Sequence, residues 1–264
     1  MASHLTPALR AEGTFSVPVK SDRFAQTDGR SQRTQPLMRK FEIASLLPCG
    51  STRTSHHLAP STELFEATST AFARGTLINA PGGPIAVEDL IPGDRIETVD
   101  GRICPVVWIG STTYVPAQTA PATTLTRLIR LLDGGFGAHT NLGDLMLGPA
   151  ARLVQRRSAL EHSIGVSAVL TPIHDFEDGH TAVEITPPSP VRLFHLRLPA
   201  HAAIYAGGRP VETYHPGKLD VDAMGENMRS LFLSLFPDVE TFDDFGPLNY
   251  PRMSRETLES LMRY

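Results

Sequence analysis

The chain reads as mostly β structure, built from many short strands, and three features of the sequence lead to that expectation. Twenty-two prolines and 21 glycines are spread over 264 residues, and Pro alone is roughly 8% against an average near 5%. The apolar runs are short and bounded by turn residues, among them Pro92-Gly93 and Asp100-Gly101, the pattern of strands joined by tight turns. A hydrophobic content of 41% with 20% charged residues is ordinary for a globular chain and allows a sizeable core.

The elements follow in order. Residues 1–36 are rich in Ser, Thr, Gln, Arg and Pro without apolar periodicity, which predicts a disordered arm. Residues 37–69 are expected to hold short strands and a linker, with "RKFEIASLL" (39–47) the first strand and "STRTSHHLAPSTE" a second short strand and its connection. From Gly75 the pattern strengthens: "GTLIN" and "PIAV" are strands around the "PGG" turn at 81–83, and Ile96 and Val99 alternate with polar neighbours before the Asp100-Gly101 hairpin turn. "ICPVVWIGS" then carries the only Trp, and further strands are expected at 126–132, 144–148, 152–155, 166–170, 181–185, 191–198, 202–207 and 210–213. This spacing argues for a barrel-like or sandwich-like domain rather than βαβ units. The character changes over 218–264. Met228, Leu231 and Leu235 fall at helical spacing within 222–236, Pro237 ends that run, and Ser254 is a candidate N-cap for a second helix over 254–264. A capping box would need Glu or Gln where Thr257 stands.

Composition limits function. A net charge of −4 with mixed signs gives no electrostatic reason to expect nucleic acid or an anionic membrane. No apolar run approaches the ~18 residues of a membrane span, and the first 20 residues lack the apolar stretch of a secretory signal, so a cytoplasmic protein is expected. Cys49 and Cys104 are the only cysteines. They build no disulfide framework and match no metal-ligand spacing, so two unpaired thiols, or at most one disulfide, are expected.

The run "FARGTLI…G…VEDL..GD.I.T.DG….V.WIG" resembles the start of the Hint domain, the hedgehog/intein autoprocessing fold, in a bacterial branch of that family. "VRLFHLRLPAHAAIYAGGRPVETYHPG" (191–217) resembles its closing strands. The resemblance spans 70–217 and implies a horseshoe-like all-β domain, here with a flexible N-terminal arm and C-terminal helices. It also implies a chemistry. The first residue of such a domain is Cys, Ser or Thr, whose side chain attacks the peptide bond just before it, splitting one hard amide cleavage into two easier steps. A second motif, Ser/Thr-x-x-His, supplies a hydroxyl that orients the amide and a His that protonates the departing nitrogen.

On this sequence the attacking position is Ala71. The best match to the second motif, "LMLGPAARLV" (145–154), puts Gly148 at the hydroxyl position and Ala151 at the His position. General acid catalysis typically contributes 10²–10⁴-fold, and without a nucleophile the covalent route is closed. His195 and His201 match histidines of the closing strands and are expected to be structural, hydrogen-bonded groups. The domain ends in "YHPG" rather than the His-Asn pair of protein splicing. The resulting expectation is a degenerate autoprocessing domain acting as a structural or binding module, with no cofactor, no metal and an unidentified protein partner.

Two rival readings stay open. Residual autoproteolysis would need Thr70 to attack the Ser69–Thr70 bond after a one-residue slip, which strand register opposes. A metal-dependent hydrolase would draw on His174, Asp175, Glu177, Asp178 and His180 in "HDFEDGH", although the segment lacks an HExxH pattern and contains the Asp-Gly of a surface turn. "DGGFGAH" (133–139) is at most one imperfect calcium-binding repeat, and Gly82-Gly83 and Gly207-Gly208 lack the residues that complete a phosphate loop.

Overall fold

The fold is taken from a computed structural model that describes residues 37–116, 125, 127–134, 143–221 and 223–261. All of them belong to the unit Pro36–Tyr264, so the arm expected over 1–36 lies outside the described residues.

Two nine-residue strands come first, β1 (Met38–Leu46) and β2 (Thr52–Pro60), then the one-turn helix α1 (Glu63–Glu66). β3 (Phe72–Ala73), β4 (Leu77–Ile78), β5 (Ile85–Ala86), β6 (Arg95–Glu97), β7 (Ile103–Pro105) and β8 (Trp108–Tyr114) follow. Next are β9 (Leu128–Leu131), β10 (Leu145–Leu147), β11 (Arg152–Arg156), α2 (Ser158–Ile164) and β12 (Ala168–Pro172). β13 (Ala182–Ile185), β14 (Val191–Arg197), β15 (Ala203–Ala206) and β16 (Arg209–Glu212) complete the strands, and α3 (Glu226–Leu233) and α4 (Arg255–Leu261) follow. Every strand ladder among the described residues is antiparallel. One sheet runs β13-β9-β10-β3-β14-β8-β1-β2, a second β12-β11-β16-β15-β4-β5, and β6-β7 form a pair of their own.

Side-chain alternation explains the layers. On β1, Phe41, Ile43 and Ser45 are buried while their neighbours are partly open, the period of two that a strand covered on one face requires. β8 is buried at every position but Thr113, as expected of a strand flanked by β1 and β14 and covered on both faces. The main core lies around Ala71, Phe72, Ile78, Ile96, Leu147, Ala151, Leu196 and Ile204. A second, aromatic core joins Phe41 and Phe65 to Trp108, Tyr214, Phe232, Phe236 and Phe245. Trp108 stacks on Phe236 at a centroid distance of 4.7 Å, and its indole N–H donates to the Leu235 carbonyl at 2.6 Å. The C-terminal extension is thereby fixed to the β domain and to the strands that precede it. An aromatic pair adds about 0.5–1.5 kcal/mol beyond the burial of its area.

Several sequence expectations are corrected. The single strand expected over "ICPVVWIGS" is broken between β7 and β8, because Val106 bonds Gly93 and Asp94 while the amide of Val107 donates to Arg197. The chain crosses there from the small sheet to the large one. The first C-terminal helix spans Glu226–Leu233 rather than 222–236, since Gly225 has extended backbone (ψ 147°) and starts the helix from outside. Ser254 does cap the second helix, accepting the Thr257 amide at 3.2 Å. α2, closed by left-handed Gly165, has no counterpart among the expected elements. Cys49 is exposed, Cys104 is half-buried, and both are free thiols.

Candidate functional site

The site is built around the peptide bond between Thr70 and Ala71. Upstream, α1 does not release into a linker. Its turn continues through Thr68 and Ser69, whose amides donate to Phe65 and Glu66 at 3.1 and 3.0 Å. The hydroxyls are also spent, Thr68 on the Phe65 carbonyl at 2.6 Å and Thr70 on the Glu66 carbonyl at 2.8 Å. Thr68, Ser69, Thr70 and Ala71 are each 0% exposed. Glu66, itself buried, is paired with Arg39 of β1 at 3.2 Å and accepts from Ser61.

Downstream, the Ala71 amide donates to the Phe194 carbonyl at 3.0 Å, and the Ala71 carbonyl accepts from Gly148 at 2.9 Å. The Thr70 carbonyl accepts from Ala150 at 3.1 Å, and Ala151 donates to the Gly148 carbonyl at 3.1 Å. A β-carbon on Gly148 would stand 2.2 Å from the Thr70 oxygen and 2.9 Å from its carbonyl carbon. Glycine is what lets the two backbones approach. A β-carbon on Gly110 would likewise stand 2.5 Å from the Thr68 oxygen, so β8 leaves room for the same segment. Ala71, Gly148 and Ala151 thus meet at one buried backbone crossing, with no side-chain nucleophile or proton donor among the three.

The two histidines occupy different surroundings. His195 lies on β14, its Nδ1 2.8 Å from the Ala67 carbonyl and its ring edge-on to Phe72 and Tyr214. A carbonyl only accepts, so Nδ1 carries the proton and Nε2 is a buried nitrogen with no partner among the described residues. Burial lowers the His195 pKa to about 4, against the raising influence of the Ala67 bond. His201 accepts the Asn249 amide on Nδ1 at 3.0 Å and donates from Nε2 to Glu212 at 2.9 Å. Glu212 of β16 is a buried hub, receiving Arg252 at 2.9 and 2.8 Å and Arg152 at 3.1 Å as well. Burial pushes its carboxyl up, and the His201 bond with the charges of Arg252 and Arg152 outweighs that and holds it at about 2. Sequence reasoning missed Glu212, Arg152 and Arg252, whose partners lie tens of residues apart. The "VET" after the Gly-Gly hairpin was the one available signal.

Beside this crossing a cleft of about 320 Å³ opens. Thr70 and Ala150 line it, with Ile129, Pro149 and Ile173 among its apolar walls and Glu63 and Arg152 among its charged ones.

The acidic "HDFEDGH" segment is otherwise engaged. Asp178 accepts the amides of His180, Thr181 and Ala182 within 3.0 Å, building a turn, and Asp175 accepts the Arg255 amide at 2.9 Å. Among the described residues no group of three or more His, Cys, Asp or Glu could hold a metal ion. Residues 135–139 of "DGGFGAH" lie outside the described residues, and Gly207-Gly208 form the turn of the β15–β16 hairpin. No helix among the described residues is long and apolar enough to cross a membrane.

With this geometry in hand, comparison with known proteins assigns the family: the chain belongs to the Hint domain family, whose sequence profile matches residues 70–218. Solved structures similar to it include a bacterial intein-like domain from Clostridium thermocellum, 16% identical over 55% of this chain and 99% of that one, with a TM-score of 0.35. The Msm DnaB1 intein splicing domain bound with zinc is 18% identical over 55% of this chain and all (100%) of that one, with a TM-score of 0.33. The MchDnaB-1 intein in its N145AA form is 20% identical over the same shares, with a TM-score of 0.30. Comparison with curated proteins gives no match.

Two expected outcomes follow from the crossing. Gly148→Ala should destabilise the fold by roughly 3 kcal/mol, at the upper end for overpacking because the clash is with backbone, read as a shift in urea midpoint. His195 should make stability fall on acidification. Its folded value near 4 lies below the unfolded value of about 6.5, so below pH ~6.5 the unfolded chain binds a proton that the native state refuses. The contribution, about 3 kcal/mol when complete, is present above that pH and is lost as pH falls towards 4. His195→Asn, which can still donate to Ala67, should flatten the slope of urea midpoint against pH over this window. An unchanged slope would contradict the assignment.

Proposed function

We propose that this chain is a Hint domain that no longer cleaves itself and serves as a structural or binding module. The observation that carries the reading is the Thr70–Ala71 peptide: Ala71 offers no nucleophile, and Gly148, which the resemblance assigns to the orienting hydroxyl, has the Thr70 carbonyl where a side chain would be. The resemblance assigns the proton-donor position to Ala151, which is fully buried. Covalent autoprocessing requires a nucleophile on the residue after the bond and a proton for the departing nitrogen. The position of the upstream strands supports the same conclusion, since β1 pairs with β8 through four residues and Phe41, Ile43 and Phe65 are buried. A self-cleaving domain would part from them.

The rival cleavage before Thr70 is disfavoured by chemistry as well as by register, because the Thr70 hydroxyl is bound to the Glu66 carbonyl. The test is the intact mass of purified full-length protein, fresh and after long incubation with dithiothreitol or hydroxylamine. Wild type is expected to stay whole, and so is Ala71→Cys, which restores a thiol but no proton donor. Fragments meeting at Thr70–Ala71 or Ser69–Thr70 in the wild type would overturn the proposal.

A further inference from the structure

We infer that the cleft beside the Thr70–Ala71 crossing is a binding site for a small carboxylic acid with a short apolar body. The cleft holds about 320 Å³, within the range of small-molecule sites. Its apolar walls include Ala67, Ile129, Pro149 and Ile173, suited to an aryl ring or a short alkyl chain rather than a sugar or a phosphate.

Charge selects the polar end of the ligand. Other polar groups on the lining are already matched: Arg127 pairs with Glu184 at 2.7 Å, His174 lies 3.3 Å from Asp175, and Glu66 is held by Arg39. Arg152 is different. Its side chain is 22% exposed, and Nη1 reaches Glu212 at 3.1 Å and the Ala150 carbonyl at 3.4 Å. Nε and Nη2 have no protein partner among the described residues, and neither is sealed from solvent. Glu212 is shared, because Arg252 takes its other oxygen through two N–H groups. Two guanidiniums therefore meet one carboxylate, which His201 also contacts through Nε2. Of this cluster only Arg152 lines the cleft, and its unused guanidinium edge is the donor set that a carboxylate fits. Glu63, on the exposed side of α1, also lines the cleft. It is a carboxylate that an incoming anion must approach, and its charge acts on Arg152.

The inference rests on the uncut chain only in that the Thr70 end of the junction forms one wall. The experiment titrates full-length protein with benzoate and with its neutral counterpart benzamide by calorimetry, and locates the bound ring by NMR contacts to the methyls of Ile129 and Ile173. Benzoate should bind at least about tenfold more tightly than benzamide, and Arg152→Lys, which keeps the charge beside Glu212 but loses the planar fork, should remove about that factor. Glu63→Gln, a surface change, should tighten benzoate by about threefold. Equal binding of the two probes, contacts outside the cleft, or a Glu63→Gln variant that binds benzoate no more tightly than wild type would each overturn the inference. Intact mass on the same samples reads cleavage independently. A cut chain that binds benzoate would refute the non-cleaving reading alone, and a whole chain that does not bind would refute this one alone.

Discussion

The carbonyl oxygen of Thr70 lies 2.2 Å from where a β-carbon on residue 148 would be, and much of the architecture depends on that approach. It requires glycine at 148, and it draws the α1 turn against the interior, where the Thr68 and Thr70 hydroxyls are satisfied by carbonyls of their own turn because water cannot reach them. The segment before the junction is consequently held on both sides. Ala150 binds the Thr70 carbonyl, and β8 leaves space for Thr68 at Gly110. A peptide used this way is a structural member of the fold.

The elements that flank the family domain extend the same logic. β1 and β2 lengthen the large sheet, and the aromatic core that covers β1 takes Phe232, Phe236 and Phe245 from the C-terminal extension, against Phe41, Phe65, Trp108 and Tyr214. A polar anchor supplements the apolar one. Arg252 and Asn249 reach back from the extension to Glu212 and His201 on the closing hairpin and its approach. Removing either arginine would leave a buried carboxylate short of a partner, which costs more than the pair contributes while intact.

Strand existence was readable in the sequence because turn residues and period-two alternation are local. β1 and β14 lie within a residue or so of the apolar runs that predicted them, and only β1 shows the alternation itself. Places where tertiary contacts override local pattern were not readable. The break between β7 and β8 is imposed by bonds to Gly93, Asp94 and Arg197, and β3 is only two residues long, both buried, so it shows no alternation. Within the candidate site, Ala71, Gly148 and Ala151 were found by resemblance, since small apolar residues carry no chemical signature of their own. Glu212, Arg152 and Arg252 could not be paired from the sequence, because 60 positions separate Arg152 from Glu212 and 40 separate Glu212 from Arg252. The cleft is legible only in three dimensions, where α1, β9 and the turn before β11 meet.

The central claim is that the strands before the junction and the family domain form one cooperative structure. Native-state hydrogen exchange across a denaturant series tests it most directly, by comparing the opening free energies of amides in β1 with those in β8 and β14. The structure requires β1 amides to exchange through the same global unfolding as those of β14. A separate, lower-energy opening confined to β1, β2 and α1, with β14 still protected, would contradict it and would describe a leader that the domain can release.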